Sequence, residues 1–395
     1  LYARNADNVL TGAGNGEVVR VQNCSALTLR RLLAVHPNMH CANSVIEGCN
    51  SQGILVSQSR NVLVEESEVY DYHRHAFSTY LSVGTEFRRT YSNDRGAAGD
   101  TSAVAYSSSR CLIENHIGEG PGRISVNASG TTIDGTLGGR DNRVLGSVVL
   151  DVSNNQGAVV QARPFAPPGD ARAAKRNLFR NVVFAHSGGH GLYSRGSYDT
   201  VLENVTMLEN AQGDGAAAFA ADDEEGILRC SEITEGCSFR MTNNLLLRSG
   251  RMGIWVEPES LGTSWLVEYT NVYGSRGWNY PTSEAIADQS GNIRSSQSVA
   301  PTGVGLGQGQ CLMWIPDGSN MKRAGKNGAD IGATILYRYE GGQLTMTPLW
   351  NPTTGEFSCG AVVPGVNDVA GASCRDVHKR LNVNTNGCPF PSYYR

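Results

Sequence analysis

The chain is short of aromatic residues, which fill 7% of its 395 positions, and short of charge, at 18%. It has no run of about 18 apolar residues, so no membrane-spanning helix is expected. It has no basic excess either. With a formal net charge of −4 it lacks the phosphate-neutralising surface that a nucleic-acid binder needs. No Cys-x-x-Cys spacing occurs, which removes the usual frame of a structural zinc site. The 3.6-residue periodicity of a helical solenoid is missing, and so is the regular leucine pattern of a leucine-rich repeat. No signal peptide is visible, although a chain that starts at Leu1 is compatible with a leader already removed.

What is present points to many short strands and tight turns. Glycine occurs 47 times, and a hydrophobic content of 40% is enough for a core and speaks against disorder. Ten cysteines form an even set in a polar, glycine-rich chain. That pattern suggests disulfides and an oxidising compartment, hence secretion or display at the cell surface; buried free thiols are the alternative. Cys230 with Cys237, and the late group Cys359, Cys374 and Cys388, are the best candidates for pairing.

A two-part unit recurs. A short strand starts near Gly53, His75, Ser102, Arg123, Gly157, Gly191, Gly215 and Gly253, and a second run follows each, such as "NRVLGSVVLD" or "TVLENVTMLEN". The starts lie about 21 to 38 residues apart, and the shortest spacings fit one coil of a parallel β-helix. The longer ones imply insertions near 129–142, 163–176 and 222–237.

Alternation within each first strand separates a small or aliphatic set from a polar or aromatic set. Ile54/Val56, Ala76/Ser78, Ala103/Ala105, Ile124/Val126, Ala158/Val160, Leu192/Ser194, Ala216/Ala218 and Ile254/Val256 are expected to face a narrow core. Leu55/Ser57, Phe77/Thr79, Val104/Tyr106, Ser125/Asn127, Gln161/Arg163, Tyr193/Arg195, Phe219 and Trp255/Glu257 are expected to face out. The fold class is therefore all-β, a single-stranded right-handed parallel β-helix. Residues 1–16 are expected to cap the first coil, 17–290 to form the solenoid, and 291–395 to form a disulfide-pinned C-terminal extension packed along it.

Over roughly residues 17–280 the chain resembles the right-handed parallel β-helix superfamily of secreted bacterial carbohydrate-active proteins. That resemblance implies a polysaccharide as partner, and the outward column of Asn127, Gln161, Arg163, Tyr193 and Arg195 points to an acidic one. Strand spacing, about 4.8 Å, is close to the advance of one sugar in an extended glycan, so a column of outward residues can read a chain unit by unit. Tyr106, Phe219 and Trp255 can stack on sugar rings; Arg163 and Arg195 can grip carboxylates in a forked geometry. Asn127, Gln161, Glu257, His75 and Arg88 complete the expected binding set, against the alternative of a solvated face with no ligand.

Eliminating a uronate needs a cation to acidify the proton beside the carboxylate and a base to take it. In "SGGHGLYSRGS", residues 187–197, Arg195 supplies the first, with Arg163 as substitute, and Tyr193 or His190 the second. A second cluster, Asp71, His73, Arg74, His75, Arg88, Arg89 and Arg95, is either a further catalytic group or the entry end of the groove, or else a turn held by ion pairs. The acid run opened by Asp222, Asp223 and Glu224 is an expected Ca²⁺ site, with solvated surface as the alternative.

Residues "GGHG" at 188–191 resemble the Gly-His-Gly of polygalacturonase-type hydrolases, but that family's Asn-Thr-Asp and Arg-Ile-Lys are absent. The Tyr-Gly-Phe-Asp-Pro-His-Asp signature of alginate epimerases is absent too, as is the paired aspartate and arginine of pectin esterases. Lyase chemistry therefore leads. A hydrolase or epimerase on the same scaffold, and a non-catalytic adhesin or surface protein, stay open.

Overall fold

A computed structural model describes residues 16–35, 52–94, 100–120, 122–152, 157–162, 174–210, 217–222, 238–250, 252–256, 264–276, 292–305 and 310–350; for 162 and 217–222 it describes the backbone. The chain winds as a right-handed parallel β-helix. The first sheet stacks nine strands in chain order: Glu17–Gln22, Gln52–Ser57, His75–Tyr80, Thr101–Tyr106, Arg123–Ala128, Ala158–Ala162, Leu192–Arg195, Ala217–Asp222 and Met252–Val256. Every pairing along it is parallel.

The second part of most units is two short strands, although Leu178–Ala185 and Thr200–Leu208 run on as single strands through the corner. Leu63–Glu65 and Glu68–Tyr70, for example, stack on the equivalent pieces Glu86–Arg88 and Tyr91–Asn93 of the next coil. The chain therefore has three faces. The corner between the second and third faces is a single residue in the left-handed region: Glu66 (φ 50°), Arg89 (φ 50°), Asn115 (φ 52°), Asn181 (φ 56°), Asn204 (φ 52°) and Asn243 (φ 58°). Asparagine tolerates that conformation better than most side chains, which explains its recurrence in the middle of the second runs.

Two rows of the first sheet point inward. One runs Val19, Ile54, Phe77, Ala103, Ile124, Ala158, Leu192, Ile254; the other runs Val21, Val56, Thr79, Ala105, Val126, Val160, Ser194, Val256. This corrects the expected facing of one strand, His75–Tyr80. Phe77 lies in the core, fully buried, with its ring 5.7 Å from Phe87 and 5.9 Å from His116. Thr79 is buried as well, while Ser78 sits in register with Leu55 on the outer face. The cause is a one-residue phase shift: His75 pairs with Gln52, not Gly53, and a shift of one exchanges the two faces of a strand. For Phe219 the backbone alone is described, in register with Leu192 and Ile254.

Polar side chains continue the ladder around the bends. Ser59 accepts from the Cys24 amide, Ser82 from the Ser59 amide and Ser108 from the Ser82 amide, at 3.0–3.1 Å. Farther along, Asn142 and Asn177 do the same for Cys111 and Asn142. Each coil thereby satisfies backbone donors that a bend would otherwise strand in the interior. Cys24 and Cys111 are free thiols, not the disulfide partners the even count suggested; burial pushes the Cys111 thiol up to about 12. Cys311 is disulfide-bonded. The pairings expected at Cys230/Cys237 and among Cys359, Cys374 and Cys388 lie outside the described residues.

Residues 310–350 run back along the coils and bury the outer side of the third face. Trp314, Ile331, Ile335, Leu336 and Trp350 pack on Val148, Leu150, Val183, Leu208 and Leu245. The corner asparagines grip this strap. Asn115 Nδ2 donates to the Tyr339 carbonyl (2.8 Å) and its Oδ1 accepts from the Tyr339 amide (3.2 Å). Asn181 does the same with Thr334, at 2.9 and 2.7 Å. An antiparallel hairpin, Tyr337–Glu340 with Gln343–Pro348, ends the described strap. Among the described residues no helix is long and apolar enough to cross a membrane.

Candidate functional site

The outer face of the first sheet carries two further rows. One reads Leu55, Ser78, Val104, Ser125, Val159, Tyr193, Ala220, Trp255, and the other Ser57, Tyr80, Tyr106, Asn127, Gln161, Arg195, Asp222. The register therefore brings most of the expected column together. Gln161 Nε2 donates to Asn127 Oδ1 at 2.8 Å, and Ser125 Oγ donates to the same oxygen at 3.0 Å. Arg195 follows Gln161 in the row.

Around Arg195 the aromatic groups converge. Its guanidinium lies over the Tyr193 ring, 5.8 Å from the centroid. The His190 ring is 4.9 Å from that of Tyr193, tilted by 31°, and 6.3 Å from that of Trp255, stacked at 21°. His190 sits in the bend before the strand and its carbonyl accepts from the Gly157 amide at 2.9 Å, which holds the bend against the coil below. Val159 and Met252 pad the Tyr193 and Trp255 rings. Tyr193 and Arg195 are each 8% exposed, so this corner is enclosed. Enclosure lowers the local dielectric and strengthens the field of the guanidinium on any anion admitted there.

His75 and Tyr106 belong to a different part of the same face. With Gln52, Arg74, Ser78 and Tyr80 they line a cleft of about 250 Å³. Ser78 Oγ donates to Gln52 Oε1 at 2.7 Å, and His75 Nδ1 lies 3.3 Å from that oxygen. Tyr80 and Tyr106, one coil apart, place their rings 5.5 Å from each other at 46°. Tyr80, Gln52 and Ser78 were not anticipated. Pairing His75 with Gln52 in the alignment of coils would have put Ser78 and Tyr80 on the outside and revealed them.

Arg88 does not join the outer face of the first sheet. It lies on the second face, where its guanidinium bridges Glu86 and Glu114, 3.1 Å from Glu114, and Glu114 also accepts from the Gly341 and Gly342 amides of the strap. Arg89 is an ion-pair residue too, held by Glu65 (2.7 Å) and Glu66 (3.0 Å). The ion-pair reading of this cluster therefore holds for both arginines. His73 is buried, which lowers its pKa against the opposing pull of Asp100. Arg95, Arg163, Glu257, Asp223 and Glu224 lie outside the described residues. Asp222 ends its strand in register with Arg195.

No family model matches the chain, and no curated protein matches it. Among solved structures, the A-module of mannuronan C-5 epimerase AlgE6 from Azotobacter vinelandii is similar at 14% identity, over 73% of this chain and 80% of that one, with a TM-score of 0.47. The AlgE4 A-module of the same organism is similar at 12% identity, over 73% and 77%, with a TM-score of 0.38. The periplasmic alginate epimerase AlgG is similar at 11% identity, over 61% and 57%, with a TM-score of 0.37.

Proposed function

We propose that the protein binds an acidic, uronate-containing polysaccharide along the outer face of the first sheet, outside the cell, and cleaves it by β-elimination. The observation that carries the reading is the convergence of Arg195, Tyr193 and His190 on that face. Arg195 neutralises the uronate carboxylate and so acidifies the proton on the neighbouring carbon. Tyr193 or His190 takes that proton; its electron pair forms the ring double bond as the glycosidic C–O bond breaks, and the leaving oxygen is protonated. Epimerisation shares the first step and differs in returning the proton to the opposite side of the sugar.

The enclosure of Tyr193 and Arg195 favours a second reading, in which this column is structural and the face binds glycan without reacting. Incubating the protein with alginate, pectate and glycosaminoglycans separates the two. Ultraviolet absorbance from unsaturated ends reports elimination, new reducing ends without absorbance report hydrolysis, and proton NMR of the uronate reports epimerisation. Binding without any of these supports the non-catalytic reading. An EDTA arm tests the calcium expected at Asp222, Asp223 and Glu224. Arg195→Ala is expected to reduce turnover by at least a hundredfold, and so is whichever of Tyr193→Phe and His190→Gln removes the base. Activity retained in all three variants refutes this assignment.

A further inference from the structure

The cleft lined by Gln52, Arg74, His75, Ser78, Tyr80 and Tyr106 brings aromatic, polar and cationic side chains together. Its volume of about 250 Å³ is below the range of roughly 300–1,000 Å³ typical of pockets for drug-sized ligands, and suits a single ring. Tyr80 is 42% exposed, whereas Phe77, three residues earlier on the same strand, is wholly buried. An aromatic pair left at the surface of a groove offers the apolar wall on which the C–H face of a sugar stacks. Arg74 brings a guanidinium to the same cleft, the group best matched to a carboxylate. The Ser78–Gln52–His75 contacts hold the polar side of the cleft in one arrangement.

Position adds the rest of the argument. Tyr80, Tyr106, Asn127, Gln161 and Arg195 follow one another in a single row, one per coil. Tyr80 and Arg195 are thus separated by four strand steps, about 19 Å at about 4.8 Å per step. One sugar of an extended polysaccharide advances by nearly the same distance as one step. We propose that this cleft is a remote subsite for an acidic sugar, gripping the polysaccharide about four units from the sugar held at Arg195. The inference rests on the uronate reading above and adds a chain-length requirement: only an oligomer of about five units or more engages both ends.

The test measures binding, not turnover. Calorimetric titrations use oligouronates of graded length, from dimer to octamer, and neutral cello-oligomers of matching length. For the unmodified protein, affinity is expected to climb steeply once the oligomer exceeds about five units. Tyr80→Ala and Arg74→Gln are each expected to weaken the hexamer and octamer at least tenfold and to remove the steep rise. Tyr80 is exposed, so its truncation leaves the core intact, and circular dichroism checks that both variants fold. Long oligouronates binding equally well to both variants, while Arg195→Ala weakens them, would overturn the subsite and leave the uronate reading standing. Neutral oligomers binding as tightly as acidic ones would overturn its acidic character. No binding of any uronate to the unmodified protein would refute the uronate reading itself.

Discussion

Replacing Phe77 by alanine tests the facing of the first sheet directly. Phe77 is fully buried, with rings of Phe87 and His116 within 6 Å of its own, and the core around it is filled by side chains from all three faces. Truncating such a phenylalanine removes its transfer energy and leaves a cavity, for a loss of about 3–5 kcal/mol. Tyr80, on the same strand, has one ring neighbour and is largely in water, so Tyr80→Ala is expected to cost less than about 1.5 kcal/mol. The contrast is measured as the shift in urea midpoint for the two variants. Amide hydrogen exchange across 75–93 adds a local reading, because stacked repeats open regionally as well as globally. Equal costs, or a larger loss at Tyr80, would show that the strand faces the other way and would refute the register argument.

Two further outcomes follow from the packing. His186 lies between Asp151 (3.1 Å) and Glu209 (3.0 Å), and the hydrogen bond with Asp151, then that with Glu209, raises its pKa. The folded state therefore holds the proton more tightly than the unfolded chain. The stabilisation is complete below the unfolded value of about 6.5 and fades as pH rises through the higher folded value. The site is substantially exposed, so the effect stays below about 1 kcal/mol; His186→Gln should flatten that part of the stability–pH curve, and an unchanged curve would contradict the bridge. Asn115→Asp keeps a residue that tolerates the left-handed corner but removes the amide that donates to Tyr339. A loss of about 1–3 kcal/mol and faster proteolytic cutting within 330–342 are expected, and an unaltered cleavage rate would show that the asparagine does not hold the strap.

The solenoid was legible because its core rows are small and aliphatic at period two, and Ile54/Val56, Ile124/Val126 and Ile254/Val256 mark those rows without ambiguity. The strand His75–Tyr80 was misphased because His75 was aligned with Gly53, one residue too early, whereas pairing is set by the coil beneath. The third face was hidden because its strands are three residues long, too short for alternation to separate them from those before the corner. In the candidate site, Tyr193, Arg195, Gln161 and Asn127 were recognisable from shared parity on neighbouring strands. Arg88 was not, since charge alone does not say which face a strand belongs to; its partner Glu114 lies one coil on, and the strap that caps the pair comes from residues 341–342.

The strap also bears on the order of assembly. In a stack of coils each unit touches only its neighbours, so coils can form as the chain emerges, from the first onward. Tyr339 meets Asn115 across 224 residues of sequence, Thr334 meets Asn181 across 153 and Ala333 meets Thr206 across 127. None of these contacts can exist until the coils that present Asn115, Asn181 and Thr206 are in place. A chain halted before residue 310 would leave the apolar outer side of its third face, with Val148, Leu150, Val183 and Leu208, open to water and to other chains. A stretch synthesised only after the coils thus acts as a built-in seal, and newly made protein is most prone to aggregate in the interval before it closes.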